Sequence, residues 1–550
     1  MEYKLRITYE QDDNILITSK SNKHLDIQVG SEDGRLSMVL TAREDISLLE
    51  CFVSFEHSFE EQDKIFCNGY QSWTASREYG VHDKEKGLVG LGKFFPANSF
   101  TSLFGDYSFY KYTNISGKFH GYTYGYTRRG DSVLLVGSLS EKQGFTIVSF
   151  EPYRNRIKLA RDVEGISLRA GESFVGIDAV CYVGGYDQVF DRYFATMNIP
   201  KPKLAKMYGY TSWYNYFGKI DSEILERDLE SLSAYGDKVN IFQIDDGYQS
   251  KVGDWLTVKQ DKFPQGMKYL ADKIHSKGYL AGLWLAPTLA QKDSEIVRNH
   301  PDWLITKPNG KPMLGNVGWG GAYILDTELP AVREYLRQVF STIVGEWGFD
   351  MVKLDFLYSA CLVPRGGKSR GQIMCETMEF LRECVGDKLI LGCGVPLGAS
   401  FGLVDMCRTG CDVDLTYHAR LYNYHTNQEI VSTQNSINNT LFRRHLNGRA
   451  FVNDPDVFFA RNTNLKFGVE QKQILAKVNS LCGGVLFVSD NVAEYDQHGK
   501  EIFASVLEQK PAKIISVDKQ MDNVCIKYTV DESPHEFEFC MKKGKILKDN

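Results

Sequence analysis

The stretch AVREYLRQVFSTIVGEWGFDMVKLDFLYSA, residues 331–360, decides how this chain is read. Val332, Tyr335, Leu336, Val339, Phe340, Ile343, Val344 and Trp347 recur at helical spacing, so the first half is a helix with one face buried. DMVKLDF (350–356) follows as a short buried strand with a carboxylate near its end. A helix delivering the chain into such a strand is the repeat unit of a parallel sheet with crossover helices.

The same rhythm extends in both directions. Strand segments are expected at MYGYTSW (207–213), VNIFQIDD (239–246), LAGLWLAP (280–287), DMVKLDF, KLILGCG (388–394), VDMCRTGCD (404–412), RAFVND (449–454) and GGVLFVSD (483–490). Met374, Met378, Leu381 and Val385 repeat the helical stripe in the crossover that follows DMVKLDF. Eight such units across residues 201–510 fit a closed (β/α)8 TIM barrel better than an open sheet.

Before the barrel, LRITYE, NILITS, LDIQVG, RLSMVL, SVLLVGSL, GFTIVSF and RIKLARD are short alternating runs broken by Gly, Asn and Asp, the pattern of an antiparallel β-sandwich. Pro200 and Pro202 in IPKPKLAK punctuate the change, which assigns residues 1–200 to the sandwich. IISVDK, VCIKYTV and HEFEFCM make residues 511–550 a small C-terminal antiparallel β domain. The fold class expected is therefore multidomain, α/β plus all-β, with a central TIM barrel between two β domains. A length of 550 residues agrees, being too great for one ordinary core.

A net charge of -6 with the two signs interspersed, and no Lys/Arg stripe, argues against a nucleic-acid partner. The opening MEYKLRITYEQDD puts acidic and polar residues where a secretion signal carries an apolar run, and no stretch approaches a membrane span. A soluble, cytoplasmic protein without a membrane partner is expected, as a monomer or small homo-oligomer. The 12 cysteines are scattered without CxxC pairs, which reads as reduced thiols and not as a disulfide or zinc framework.

In barrels of this type reactive groups gather at the C-terminal strand ends. Trp213, Asp245, Asp246, Trp284, Asp355, Cys393, Asp412, Asp454 and Asp490 all fall there, although an Asp at a strand-to-helix junction also serves simply to cap the helix. Lys353 and Asp355, two apart on a strand, face the same way, and an ammonium beside a carboxylate keeps it ionised as a glycosidic nucleophile requires. The alternative is a Lys–Asp pair buried inside the barrel. Asp245 and Asp246 reach one ligand only if the strand ends or bulges, which Gly247 permits; one capping a helix is equally open. Arg408 and Asp412, flanking Gly410, pair an arginine with a carboxyl able to cycle between acid and base. Trp213 and Trp284 could wall a pocket or belong to the core. The strand ends lack histidines, which speaks against a metal-dependent hydrolase.

NGYQSWT (68–74), SWYNYF, QIDDGYQ, GLWLAP, VKLDFLYSA, GCGVPLG (392–398), CRTGCD and VNDPD (452–456) occur in this order, and as an ordered set the chain resembles glycoside hydrolase family 36 of clan D, the α-galactosidases, nearest to its short bacterial type. The resemblance implies a retaining double displacement on terminal α-galactosyl groups of melibiose- or raffinose-type sugars, with Asp355 as nucleophile and Asp412 as acid/base. It implies that Asp245 and Asp246 hold the O4 and O6 side of galactose, that Lys353 and Arg408 are further hydroxyl ligands, and that Trp213, Tyr214, Trp284 and, from the N-terminal domain, Trp73 line the pocket. No metal or organic cofactor is implied. Where large members carry a glycine-rich, serine-containing loop, this chain has GCGVPLG, so Cys393 falls on the C2 side. An α-N-acetylgalactosaminidase and a raffinose-synthase-like α-galactosyltransferase with the same catalytic pair are the alternatives. The long insert after the third strand, about residues 288–326, is the segment expected to touch the leaving group.

Overall fold

A computed structural model of the chain describes residues 2–88, 103–113, 115–418 and 427–550. Alternation builds its N-terminal part. In Arg35–Ala42 every second residue, Leu36, Met38, Leu40 and Ala42, is buried while the intervening ones are only partly covered, the signature of a strand with one face on a core. Two seven-stranded antiparallel sheets result. They share a core in which Ile7, Tyr9 and Val53 of one sheet meet Met38, Leu40 and Ile177 of the other. The two longest strands, Ile46–Glu56 and Ser173–Gly185, are absent from the expected set. ISLLECFVSFE has no Gly, Asn or Asp to mark it off as a short run, whereas in SFVGIDAVCYVGG Gly176 and Asp178 fall inside one continuous strand.

All eight expected barrel strands are present: Met207–Thr211, Ile241–Ile244, Leu280–Leu285, Met351–Leu354, Leu389–Gly392, Met406–Arg408, Val452–Asp454 and Val485–Val488, called here the first to the eighth. Seven parallel ladders join them, with the eighth strand paired to the first. Between the seventh and eighth the ladder is replaced by a hydrogen bond from Gly484 N–H to Asn453 O at 2.9 Å and a bridge between Val457 and Phe487. The sheet is thus a nearly closed barrel. The helix before the fourth strand runs Pro330–Phe340 and continues as a wider π-turn over Ser341–Glu346, with Val332, Leu336, Val339, Phe340 and Ile343 fully buried. A four-stranded antiparallel sheet, Ala512–Gln520, Asn523–Val530, Ser533–Cys540 and Lys545–Asp549, ends the chain.

The insert after the third strand folds into its own three-stranded antiparallel sheet, Leu289–Gln291, Ala322–Ile324 and Leu314–Asn316. Among the described residues no helix is long and apolar enough to cross a membrane.

Two strand-end carboxylates hold the frame together. Asp490, just beyond the eighth strand, is fully buried and bonded to Arg461 at 2.5 Å, to the N–H groups of Ala460 and Arg461, and to the Tyr495 hydroxyl. Asp454, ending the seventh strand, accepts the N–H of Asp456 at 2.8 Å. Removing one partner of a buried ion pair leaves the other charge uncompensated. Asp490→Ala is therefore expected to destabilise the barrel by about 3–5 kcal/mol, read as a lowered midpoint in chemical denaturation; a shift within about 0.5 kcal/mol, the range of an ordinary surface substitution, would show that Arg461 is satisfied without it.

Candidate active site

The mouth of the barrel encloses a cavity of about 650 Å³. Its charged lining is Asp245, Asp246, Lys353, Asp355, Asp412 and Glu429, and its aromatic lining is Trp73, Phe104, Trp213, Trp284, Trp319 and Phe356.

The second strand stops at Ile244, and the next two residues turn into the cavity together. Asp245 N–H donates to the Ser212 hydroxyl at 2.9 Å, and Asp246 N–H donates to the Asp245 carboxylate at 2.9 Å. Gly247 sits at φ +134°, and a Cβ there would lie 2.9 Å from Ile220 Cγ1, so only glycine lets the chain leave the strand at this point. Asp245 Oδ2 accepts from Lys353 Nζ at 2.8 Å, Gln243 Nε2 at 2.8 Å and Thr211 Oγ1 at 3.3 Å. Asp246 accepts from Gln249 Nε2 at 2.7 Å and Trp319 Nε1 at 2.8 Å. Burial pushes the Asp246 carboxyl up, against these two donors.

Asp355 follows the fourth strand. Its Oδ2 accepts from the Trp284 indole N–H at 3.0 Å and its Oδ1 from the N–H of Phe356 at 2.8 Å, so both oxygens are held. Phe356 takes a left-handed backbone, φ +55°, an uncommon conformation for an aromatic residue that is kept where the surroundings over-determine it. Burial raises the Asp355 carboxyl above its usual range, while the Lys353 charge, a hydrogen bond with Cys393 and the one from Trp284 draw it down. Lys353 is near Asp355 as its spacing predicts, yet its short ion pair goes to Asp245 across the barrel mouth. The ammonium thus bridges two strands and does not serve Asp355 alone.

Asp412 differs in environment. Its side chain is 36% exposed, and it accepts from Arg408 Nη2 at 3.0 Å. The same nitrogen reaches Asp456 Oδ2 at 3.0 Å, and that oxygen also accepts from the Tyr214 hydroxyl and from Val413 N–H at 2.8 Å. Burial pushes the Asp456 carboxyl up, with Arg408 opposing. Arg408, Tyr214 and Cys393 are fully or almost fully buried and are not among the residues lining the cavity. They lie behind it: Arg408 and Cys393 bond to Asp412 and Trp73, which line the cavity, and Tyr214 bonds to Asp456, which does not. Cys393 Sγ accepts the indole N–H of Trp73 at 3.3 Å.

Trp73 arrives from the sandwich domain. Arg443, wholly buried, donates to Asn68 Oδ1 at 2.9 Å and to the carbonyls of Ser72 (2.6 Å), Gln71 (3.2 Å) and Thr409 (2.9 Å), fastening the NGYQSWT loop to the barrel. Gly394 lies at φ +58° with Trp73 Cζ2 2.9 Å from where a Cβ would be, so the glycine of GCGVPLG admits the indole.

Residues 216–367 match the Melibiase family. That segment contains the second to fourth barrel strands and with them Asp245, Asp246, Trp284, Trp319, Lys353 and Asp355. The alpha-galactosidase of Escherichia coli is 27% identical over 209 residues, which is 36% of this chain and 28% of that protein, so the match spans less than a third of the relative's length. Among solved structures, an alpha-galactosidase from Thermus thermophilus in complex with p-nitrophenyl alpha-D-galactopyranoside is similar with a TM-score of 0.72 at 24% identity, covering 96% of this chain and 98% of that one. The GH36 alpha-galactosidase AgaA from Geobacillus stearothermophilus has a TM-score of 0.63 at 12% identity, covering 97% and 80%. At these identities the structural likeness establishes the fold. The family likeness expected from the ordered motifs is borne out.

Several residues that line or support the cavity escape motif reading. Trp319, at φ +56° in the tract GWGG, is carried by the insert and meets the cavity at Asp246. Phe104 and Glu429 lie far from the barrel strands in sequence, and Asp456 is hidden in VNDPD behind Asp454. The unusual tract GWGG is the one local signal, since glycines on both sides free an aromatic residue to take a left-handed backbone.

Glu429 ties two distant segments to each other. Its Oε1 accepts from the Thr74 hydroxyl and its Oε2 from the Tyr107 hydroxyl, both at 2.8 Å. Burial pushes its carboxyl up to about 7, and those two donors oppose the rise. A carboxyl raised on folding contributes stability that is fully present below its unfolded value and is lost as pH climbs through the folded one. The native protein should therefore lose about 2–3 kcal/mol between pH 5 and pH 8 from this group, and Glu429→Gln should lack that loss. Denaturation midpoints across this range test it: a difference between the two proteins that does not change with pH would refute the assignment.

Proposed function

We propose that this protein is a retaining α-galactosidase that releases terminal α-galactosyl groups from oligosaccharides of the melibiose or raffinose kind. The observation that carries the reading is the placement of Asp355 and Asp412 on one cavity, beside the Asp245–Asp246 pair, in a barrel with a melibiase domain.

In this mechanism Asp355, both oxygens oriented by N–H donors, attacks C1 of the galactosyl unit as the C1–O bond to the aglycone breaks. Asp412, exposed enough to exchange protons and oriented by Arg408, gives a proton to the departing oxygen. A galactosyl ester on Asp355 results. Water then attacks C1 and yields its proton to Asp412, the ester bond breaks, and the Asp355 carboxylate is restored. Two inversions leave α-galactose. Asp245, Asp246 and Lys353 supply acceptors and a donor for the sugar's hydroxyls, and Trp284, Trp319 and Trp73 supply the apolar walls.

Two carboxylates in unlike settings suit this division of work. Asp355 is 8% exposed and clamped, whereas Asp412 is open to solvent. Tyr214, Arg408 and Cys393 act in this reading through their neighbours: Tyr214 and Arg408 through Asp456 and Asp412, Cys393 through Trp73 and Asp355. A cytoplasmic location belongs to the same proposal and is supported by twelve free cysteines, most of them buried.

Initial rates on p-nitrophenyl α-galactoside, with the product anomer followed by NMR, test the reading. Asp355→Ala is expected to abolish turnover, and a 2-fluoro galactosyl fluoride is expected to label Asp355 in the native protein. Asp412→Ala should lower kcat/KM by about 10²–10⁴-fold for substrates with poor leaving groups and far less for activated ones. β-Galactose as first product, or a label on any other side chain, overturns the scheme.

A further inference from the structure

We infer that the outer part of this cavity is built for an apolar aglycone, so that α-galactosides bearing an alkyl or aryl group are better substrates than those bearing a second sugar; the inference rests on the α-galactosidase reading above.

The leaving group departs on the side of Asp412, and the chain next to Asp412 is identifiable. Ser432 N–H donates to the Asp412 carbonyl at 3.0 Å, so Ile430 and Val431, both lining the cavity, directly precede a residue held against the acid/base. Val431 is 40% exposed, which puts it at the mouth. Glu429 joins this segment to Tyr107, and three residues before Tyr107 the half-buried Phe104 also lines the cavity. Elsewhere in the lining, Trp213 meets the ring of Phe217 edge-on at 5.2 Å, and Phe217 is 43% exposed. Large apolar side chains left exposed in a group around a polar floor mark a binding surface.

The polar side chains around this apolar rim are already engaged. Both Glu429 oxygens accept from Thr74 and Tyr107, and Asn316 Oδ1 accepts Gly318 N–H at 2.8 Å, while Asp246 belongs to the polar floor that holds the galactosyl unit. A hexose aglycone would bring several hydroxyls out of water to meet aliphatic and aromatic carbon, and an unmatched hydroxyl resists burial. An alkyl or aryl group meets the same wall without that penalty and gains from leaving water.

The test uses the full-length enzyme with methyl, butyl, hexyl and octyl α-galactosides and melibiose, all below micelle-forming concentrations. Every aglycone leaves as a simple alcohol, so the series reports contacts and not leaving-group acidity. We expect kcat/KM to rise at least about tenfold from methyl to octyl, a fraction of what full burial of the added methylenes would give, and octyl to exceed melibiose. Val431→Ser and Phe104→Ser should each pull the octyl-to-methyl ratio toward one. A native ratio near one, or melibiose surpassing octyl, overturns the inference while leaving the activity standing. No turnover on any galactoside, methyl included, overturns the activity and the inference with it.

Discussion

Carboxylates crowd the mouth of this barrel, and their mutual repulsion is contained by two buried cations. Lys353 bridges from the fourth strand to Asp245 beyond the second, and Arg408 divides one nitrogen between Asp412 and Asp456. Such arrangements are poor sources of net stability, because desolvating the ions offsets most of their attraction. Their effect is geometric. Each cation holds acids from different segments at a set spacing, and burial lifts Asp355, Asp454 and Asp456 above their usual range while the cations oppose it.

The second constraint is the docking of the sandwich onto the barrel. Arg443 is buried without a carboxylate among its hydrogen-bond partners, and burial draws its guanidinium down to about 10. It spends its donors on the backbone of residues 71–72 and 409 and on Asn68. That choice ties the NGYQSWT loop to the strand end carrying Arg408 and brings Trp73 over the cavity. The pocket is therefore shared between domains, and neither alone supplies its full wall.

Much of the frame was legible because its causes are local. A parallel strand buried on both faces reads as a short apolar run, and a helix on its outside reads as a stripe, so all eight barrel strands could be named in advance. Asp355, Asp412, Asp245, Asp246 and Lys353 were legible for the related reason that a barrel brings every strand's C-terminal end to the same face. Less legible were Ile46–Glu56, a long strand without Gly, Asn or Asp, and Ser173–Gly185, where Gly176 and Asp178 sit inside the strand and do not end it. Trp319, Phe104, Glu429 and Asp456 were illegible as cavity or support residues, since nothing in their immediate neighbourhoods sets the distance to the strand ends.

By itself, the amino-acid sequence determined the elements, their order and the acids placed at the strand ends, because periodicity and strand direction act over a few residues. Tertiary structure alone decided that Lys353 pairs with Asp245 in preference to Asp355, that Arg408, Tyr214 and Cys393 stand behind the cavity wall, and that the insert meets the cavity at Asp246. Each of these depends on which side chains from distant segments come within about 3 Å of one another, the reach of a hydrogen bond. That reach is set by the closing of the barrel and the seating of the sandwich upon it.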